Sequence, residues 1–355
     1  MSVSYRLITV NELDSTLIDT WRSIQSRNDV FESPYFCPEF TQIVGGVRDD
    51  VRVVVIENGG RPVGFFPHQR SFLGMGRPVG GPFSDYHGVI AEPGSEWSVS
   101  ELMRAAKLAV WAFDHLVDDS RRFEPHVTAH ATSPQIDLSA GFEQYMRELH
   151  DRPSDFARKA RKLAREVGEL SFTLHEADGD QLERLIEWKS EQYRRTRLMD
   201  AFSVRWTGEL LRRVMSAQTA EFAGMCSVLR AGDQVVAVHA GMRSRQVLHW
   251  WFPTYDRKFD KFSPGIILLF RIAEALTATG VPTIDLGKGD SQYKRSVMTG
   301  AAELREGFVE MPSLLASARQ LRRVAEAHAA RGGMAATLRL PLRAIRRIER
   351  TRIFR

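Results

Sequence analysis

The sequence has few cysteines and lacks long apolar runs, and each shortage excludes a class of protein. Its two cysteines, Cys37 and Cys226, are far apart in apolar contexts, which argues against a disulfide framework or a cysteine-rich metal site. No stretch approaches 18 uninterrupted apolar residues, and residues 1–35 contain no apolar run of signal-peptide length. We therefore expect a cytoplasmic protein.

The composition is that of a globular chain with an unusual C-terminal tail. A length of 355 residues suits two domains of typical size, and 43% hydrophobic residues are enough for two cores. The net charge is +5, yet residues 319–355 alone contain eleven arginines against Glu326 and Glu349. The basicity therefore belongs mainly to the tail, and we expect no DNA binding by the body.

Residues 225–305 carry the strongest local pattern. Apolar runs broken at 231–233 and 243–246 predict three antiparallel strands. Ser263 and Pro264 then predict the start of a helix that ends at Gly280. A short buried strand at 281–286 and a glycine-loosened turn at 287–290 follow.

The first half contains a similar layout. Residues 51–70 predict a hairpin around Asn58-Gly59-Gly60, which matches the strand, glycine turn and longer strand at 227–241. A recurrence at this distance indicates two copies of one fold. Helices are expected at 11–27, 38–47 and 96–118. His126 and His130 lie four apart, but nearby prolines favour a strand or loop, so we expect no metal site.

Three further helices are expected between the two copies, at 154–168, 180–199 and 205–217. The first carries five cations, which suit either a solvated face or an anionic ligand. These cations are Arg158, Lys159, Arg161, Lys162 and Arg165.

The order of strands, capped helix and strand resembles the core of the GNAT acyltransferases. The individual residues most resemble those of the cellulose-biosynthesis CelD-like and other exopolysaccharide proteins. These proteins are in turn similar to the tandem-GNAT FemABX peptidyltransferases. The residues that carry this resemblance are Ala240-Gly241, Trp250-Trp251, Tyr255-Asp256, Phe262-Ser263-Pro264-Gly265, Asp285-Leu286-Gly287 and Tyr293-Lys294.

The resemblance implies an α/β (α+β) protein with two tandem GNAT-like halves, each a mixed, mostly antiparallel sheet with flanking helices. We expect the halves at 1–138 and 139–311, followed by a basic helical tail at 312–355. It also implies an acyl-CoA-dependent N-acyltransferase, most simply an acetyltransferase using acetyl-CoA, that acts on an amino sugar of an exopolysaccharide or lipid-linked glycan intermediate.

Two alternatives remain open at this stage. One is a FemABX-like transferase that uses aminoacyl-tRNA, because Lys261-Phe262-Ser263-Pro264-Gly265 departs from the usual glycine-rich run before the phosphate-binding helix. The other is a degenerate GNAT scaffold that binds a nucleotide messenger such as cyclic-di-GMP, or a synthase partner.

Acyl transfer to an amine needs a base, an oxyanion donor and help for the leaving group. His239 interrupts an apolar strand and is a candidate base, although a lone strand histidine is more often a core residue. Asp285 ends a buried strand and is either a second base or a cap for the following turn. Lys294 resembles a FemABX lysine near the reacting carbonyl, which implies electrostatic stabilisation.

The remaining site predictions concern binding. We expect the donor's phosphates at the start of the helix that follows residue 263. The predicted donor-binding residues are Lys261, Phe262, Ser263, Pro264 and Gly265. The predicted substrate-binding residues are Asp85, Tyr86 and His87, at the rim of an acceptor cleft between the halves, with Lys189, Gln192, Trp251, Tyr255, Asp290 and Tyr293.

The tail predicts a basic amphipathic helix at 337–355. Such a helix suits an anionic membrane surface, a polysaccharide-synthase partner or cyclic-di-GMP. We therefore expect a cytoplasmic protein that is peripheral to the inner membrane.

Overall fold

The structure is a computed structural model that describes residues 2–71, 73–150, 152–176, 178–289, 291–313 and 319. The strands are β1 (Val3–Thr9), β2 (Val51–Asn58), β3 (Arg61–Arg70), β4 (Met75–Arg77), β5 (Ile90–Ala91), β6 (Val110–Leu116), β7 (Val127–Asp137), β8 (Leu170–Thr173), β9 (Ala223–Ala231), β10 (Gln234–Arg243), β11 (Val247–Tyr255), β12 (Thr283–Asp285) and β13 (Gly300–Glu310). The α-helices are α1 (Ser15–Gln25), α2 (Pro38–Gly45), α3 (Val99–Ala105), α4 (Phe142–Glu148), α5 (Arg152–Glu166), α6 (Asp180–Arg195), α7 (Arg205–Ser216), α8 (Pro264–Thr279) and α9 (Gln292–Val297).

The described chain groups into two compact units that are not contiguous halves. Unit 1 contains residues 2–28, 44–130 and 305–313, and unit 2 contains residues 29–43 and 131–304. The chain passes from unit 1 to unit 2 within β7 and returns within β13. Unit 1 therefore takes its last strand from residues that follow unit 2 in the sequence, and residues 29–43 of the first half belong to unit 2. A division by local pattern does not reveal either exchange.

The sheet of unit 2 runs in the order β8, β9, β10, β11, β12 and β7. All neighbours are antiparallel except β11 and β12, which are parallel. A parallel pair needs a crossover, and α8 provides it between these two strands. This is the strand, helix and strand order predicted for 225–305.

The sheet of unit 1 repeats this pattern. Its order is β1, β2, β3, β4, β6 and the 305–310 part of β13, and again only the fourth and fifth strands are parallel. The short β5 pairs with β3 outside this order. The prediction of two copies of one mixed, mostly antiparallel α/β fold is confirmed.

One predicted element is wrong. The expected helix at 96–118 is the short helix α3 followed by strand β6. Lys107 adopts a positive φ of 55° and ends the helix, and the β-branched and aromatic run after it suits a strand. The prediction failed because the apolar residues keep a helical spacing by chance on both sides of this break.

The core of unit 2 is organised around α8. Most of its apolar side chains are buried, as expected for a helix covered on several sides. It packs on β9, β10 and β11, and α4 and α5 pack against it. Helices α6 and α7 also contact β9 and β10. The start of α8 and the end of β11 are thereby fixed by packing.

Among the residues described, no helix has the length and apolar character needed to cross a membrane. The predicted tail helix at 337–355 lies outside the described residues.

Candidate functional site

Strands β11 and β12 separate after three residues. They pair only from Val247 to His249 on β11 and from Thr283 to Asp285 on β12, whereas β11 continues to Tyr255. Strand β12 therefore pairs with only the first three residues of β11. We call this place, where β11 and β12 part, the fork.

A β-bulge in β11 lies at the fork. Ala240 pairs with Phe252 and Met242 with His249, so two steps along β10 match three along β11. The extra residue falls within Trp250-Trp251, and a bulge bends its strand and leaves backbone groups outside the ladder. A backbone N–H that a bulge turns out of its ladder can serve as an oxyanion donor.

Gly241 makes room for this geometry. A Cβ at Gly241 would lie 2.4 Å from the carbonyl oxygen of His249 and 2.5 Å from Cε1 of His239. Real Cβ atoms do not come this close to other heavy atoms, so a side chain here requires the backbone to move. The glycine belongs to the bulge rather than to a turn.

A buried carboxylate and a buried histidine meet at the fork. Asp285 and His249 are 1% and 0% exposed, and Asp285 Oδ1 lies 3.4 Å from His249 Nδ1. Asp285 also accepts hydrogen bonds from Ser133 Oγ at 2.7 Å, Gln135 Nε2 at 3.0 Å and the Gly287 N–H at 2.8 Å. These bonds hold the carboxylate in position beside the imidazole, close enough for its charge to favour the protonated form.

Asp285 was predicted to be either a second base or a cap for the following turn, and its surroundings are compatible with both roles. Its bond to Gly287 N–H is the predicted cap of the turn, and its position beside His249 is compatible with the predicted role in proton transfer. Sequence reasoning did not select His249. Its only signal was a polar residue at the start of His249-Trp250-Trp251, and its partner is known only from the register of β11 and β12.

His239 has an environment that does not suit a base. It is fully buried and stacks on Trp250, with ring centroids 4.2 Å apart. Neither ring nitrogen has a partner at hydrogen-bonding geometry among the described residues. Burial, aided by the nearby His249 and Lys189, lowers the pKa of His239 to about 3. A base this weak removes a proton from an ammonium group poorly.

Lys294 and Tyr293 follow the fork on α9. Lys294 Nζ donates to the carbonyl oxygens of Gly287 at 2.8 Å and Lys288 at 3.0 Å, so its charge is held beside the turn that follows Asp285. Burial raises the pKa of Tyr293, and a hydrogen bond from the Trp250 side chain partly offsets this effect. The phenol is therefore neutral near the bulge and available as a donor.

The start of α8 offers one free amide. Ser263 was predicted to cap the helix with its side chain. It lies at the N-cap position with a positive φ of 53°, but its side chain makes no capping hydrogen bond, so that prediction is wrong. Its N–H donates to Asp260, and its carbonyl accepts from Ile266 and Ile267. Since Pro264 has no N–H, Gly265 carries the amide that has no partner among the described residues.

Three lysines surround this helix start. Lys159 Nζ donates to Ser263 Oγ at 3.2 Å, and Lys261 Nζ lies 4.6 Å from the Phe262 ring centroid. Lys162 Nζ lies 6.0 Å from the same ring. Asp155 and Glu166 neutralise part of this charge. The lysines and the positive end of the helix dipole together create a positive potential at the start of α8, which favours binding of a phosphate group.

A groove with a volume of about 330 Å³ lies beside the end of β11. It contains two of the predicted substrate-binding residues, Gln192 and Tyr255, together with Trp188 and Pro253. Lys189 is a neighbour on α6, and its Nζ donates to Gln192 Oε1 at 3.2 Å. Burial lowers the pKa of Lys189 to about 8. Its amine is therefore partly neutral near physiological pH.

Trp250 and Trp251 separate as predicted for neighbours on a strand. Trp250 is buried against His239, and Trp251 is half-buried. Trp251 packs against Tyr35 and Phe40, with ring centroids 6.1 and 6.4 Å away. Tyr35 also contacts the His249 ring, at 5.0 Å between centroids. Aromatic faces therefore border the histidine.

The equivalent place in unit 1 is filled by its own chain. After β4, His87 forms a parallel bridge with Leu116 of β6. The His87 N–H donates to His115, and its carbonyl accepts from Val117. Tyr86 and His87 are buried, and Asp85 lies 3.5 Å from His115. These three predicted substrate-binding residues thus occupy unit 1's counterpart of the fork. Asp290 lies outside the described residues.

The sequence comparison agrees with this geometry. Residues 150–295, which lie in unit 2, match the acetyltransferase (GNAT) domain family. This segment of the chain is similar to GNAT acetyltransferase domains, which supports an acyltransferase activity. The part matched includes the fork, the groove and the start of α8. No curated protein matches the chain.

Solved structures share the fold of the GNAT domain and its companion unit. FemX is 9% identical, with a TM-score of 0.56 over 87% of this chain and 96% of FemX. The C-terminal domain of an Agrobacterium fabrum protein assigned as a lysylphosphatidylglycerol synthetase is 12% identical, with a TM-score of 0.53 over 86% of this chain and 94% of that chain. At these identities the likeness shows the fold alone. The narrower resemblance to CelD-like exopolysaccharide proteins stays a prediction.

Proposed function

We propose that unit 2 transfers an acyl group, most simply acetyl, from an acyl-CoA thioester to the amine of an amino sugar in an exopolysaccharide or lipid-linked glycan intermediate. The observation that carries this proposal is the fork, where a buried carboxylate and histidine meet an open strand edge and a bulge. The acyl-transfer chemistry follows from the GNAT domain, and the sugar acceptor is the finer part of the proposal.

The residues present fit an acyl-CoA. Beyond its short pairing with β12, the edge of β11 can offer backbone donors and acceptors to the amide-containing arm of the donor, as a neighbouring strand would. The Gly265 N–H with Lys159 and Lys261 suits the donor's phosphates. The bound thioester supplies an activated carbonyl, and the chain's own groups do the rest.

The chain's side chains divide the proton transfers between them. His249, which lies beside Asp285, accepts the proton of the acceptor ammonium so that the free amine can attack. A bulge N–H stabilises the oxyanion of the tetrahedral intermediate. When that intermediate collapses, the C–S bond breaks, and the neutral Tyr293 phenol donates a hydrogen bond to the leaving thiolate. The second amine proton leaves with solvent or with the thiol.

The aromatic residues beside His249 favour a sugar acceptor. Trp251 is half-buried and packs edge-on against the buried Tyr35, which contacts the imidazole. Aromatic side chains of this kind are common where proteins bind sugars.

Purified chain incubated with labelled acetyl-CoA and glucosamine-containing acceptors tests the proposal. Labelled, amide-linked product supports it. Transfer from aminoacyl-tRNA in the same assay, with no binding of any acyl-CoA, would replace it with the FemABX-like alternative. Binding of cyclic-di-GMP without transfer from either donor would indicate a degenerate scaffold.

The filled counterpart in unit 1 predicts one donor site per chain. We expect calorimetric titration with CoA to give a stoichiometry of one, because residues 85–87 occupy the equivalent position of unit 1. A stoichiometry of two would show that unit 1 also binds the donor. The matched control is Arg271→Gln, an exposed arginine paired with Glu274 on α8, which should keep the same stoichiometry.

The lowered pKa of Lys189 predicts unusual reactivity. Competitive labelling with acetic anhydride, read by mass spectrometry, should show its rate levelling off above about pH 8 to 9, because its pKa is about 8. In the chain unfolded in urea, Lys189 itself should keep gaining reactivity toward about pH 10, as a lysine in a model peptide does. Parallel pH profiles for Lys189 in the folded and unfolded chain would contradict this account.

The same pKa sets the sign of Lys189's effect on stability. Between pH 8 and 10.5 the unfolded chain binds the proton that the folded chain has lost. Stability contributed by this residue therefore rises with pH across that window. Below pH 8 the lysine is protonated in both the folded and the unfolded chain, so the folded chain bears the full free-energy cost of burying the ammonium group.

A further inference from the structure

The groove beside β11 contains cations that the transfer chemistry does not use. It is lined by Arg195 on α6 and by Arg257 and Lys258 after β11, against the acids Glu191 and Asp256. Asp256 is already engaged, since it caps the following turn by accepting from the Lys258 N–H at 2.9 Å. The groove therefore has a net positive charge.

Arg195 and Arg257 line the groove from two elements, α6 and the segment after β11. Burial and the hydrogen bond to Asp260 raise the pKa of Tyr255, and the charges of both arginines lower it. The ion pairs among the described residues include neither arginine. Two guanidinium groups on the walls of one groove suit a phosphate, which accepts several N–H bonds at once.

We propose that this groove binds the phosphate or diphosphate group of a phosphorylated amino-sugar acceptor. This inference rests on the proposed function and names the class of its acceptor. The volume of about 330 Å³ suits one sugar phosphate. Trp188 and Tyr255 supply flat walls for the ring.

The donor has a separate set of cations. Lys159, Lys162 and Lys261 surround the start of α8, and none of them lines the groove. Two cation sets on different elements suit two phosphorylated reactants, with the thioester carbonyl and the amine meeting at the fork. The groove lies at the end of β11, and the fork lies along the same strand.

Binding of defined probes to the full chain tests this assignment. The probes are glucosamine 1-phosphate, uridine diphosphate glucosamine, unmodified glucosamine and CoA, each titrated by calorimetry. We expect the double variant Arg195→Gln/Arg257→Gln to raise the Kd of the phosphorylated amino sugars about 10- to 100-fold, the loss typical of charged hydrogen bonds. The Kd of CoA should stay within about twofold.

A charge-matched control separates a local site from a general field. Arg213→Gln/Arg271→Gln removes two exposed arginines that are paired with Glu209 and Glu274, and it should leave every Kd unchanged. Equal affinity of wild type for glucosamine and its phosphates, or loss of CoA affinity in the groove variant, would overturn the acceptor assignment.

The outcome is distinguishable from failure of the proposed function. Acetyl transfer to unmodified glucosamine that is unaffected by the groove variant would refute the phosphate site and keep the acyltransferase. Absence of both CoA binding and transfer would refute the proposed function itself. A variant that fails to fold is recognised by its circular dichroism, and Arg195→Lys/Arg257→Lys then provides the milder comparison, with an intermediate Kd expected.

Discussion

Replacing His249 by asparagine is expected to lower kcat about 10²- to 10⁴-fold, the usual contribution of a positioned general base. Asparagine keeps a polar atom near Asp285 Oδ1, which lies 3.4 Å from His249 Nδ1, but it cannot accept the proton of the ammonium. The Kd of CoA should change little, because the lysines at the start of α8 are untouched. Steady-state kinetics with acetyl-CoA and an amino-sugar acceptor measures the effect.

The control for this variant is His150→Asn. His150 is exposed and adopts a positive φ of 54°, a conformation that asparagine tolerates. It should retain wild-type kcat. A folded His249→Asn enzyme with kcat within about twofold of wild type would exclude His249 as the base.

The second large effect is expected at Gly241. Alanine there would place its Cβ 2.4 Å from the His249 carbonyl oxygen and 2.5 Å from the His239 ring, so the bulge must distort. Overpacking of this kind costs about 1–3 kcal/mol, and a domain of this size then loses roughly 2–4 °C of Tm per kcal/mol. Activity should fall as well, because the same bulge shapes the fork.

Gly300→Ala is the matched control in unit 2, since a Cβ at Gly300 would meet nothing within 4 Å. It should shift Tm by no more than the effect of an ordinary surface change. Gly241→Ala/His239→Ala removes the ring contact but keeps the carbonyl clash, so it should restore little activity. Wild-type Tm and activity for Gly241→Ala would show that the bulge has no role.

The elements with local signals were predictable. The hairpin of β2 and β3 has its glycine turn, and α8 has Pro264 at its start and Gly280 after its end. These features depend on neighbouring residues alone. The repeat of the hairpin layout was also enough to predict two copies of one fold.

The site depended on relations that a linear pattern does not contain. His249 and Asp285 meet because β11 and β12 are parallel in one register. The bulge adds one residue to β11 and changes which side chains share a face. His239 was selected because it is polar within an apolar strand, and the structure places it in a dry stack against Trp250. The local pattern identified His239 as unusual, but it contained no information about which residues pack around it in the fold.

The prediction for Asp85, Tyr86 and His87 shows the same limit. Small, polar and aromatic residues in a loop indicate a binding site as readily as a packed segment. Here backbone pairing with β6 fixes the loop in unit 1. Only the comparison of the two sheets, strand by strand, shows that this segment occupies the counterpart of the open fork.

A crystal structure of the chain with CoA tests the central claim most directly. The account predicts that the donor's arm lies along residues 250–255 of β11, with its thiol near His249 and Asp285 and its phosphates near Gly265. Density for CoA at another surface, or an arm that does not enter the fork, would contradict it.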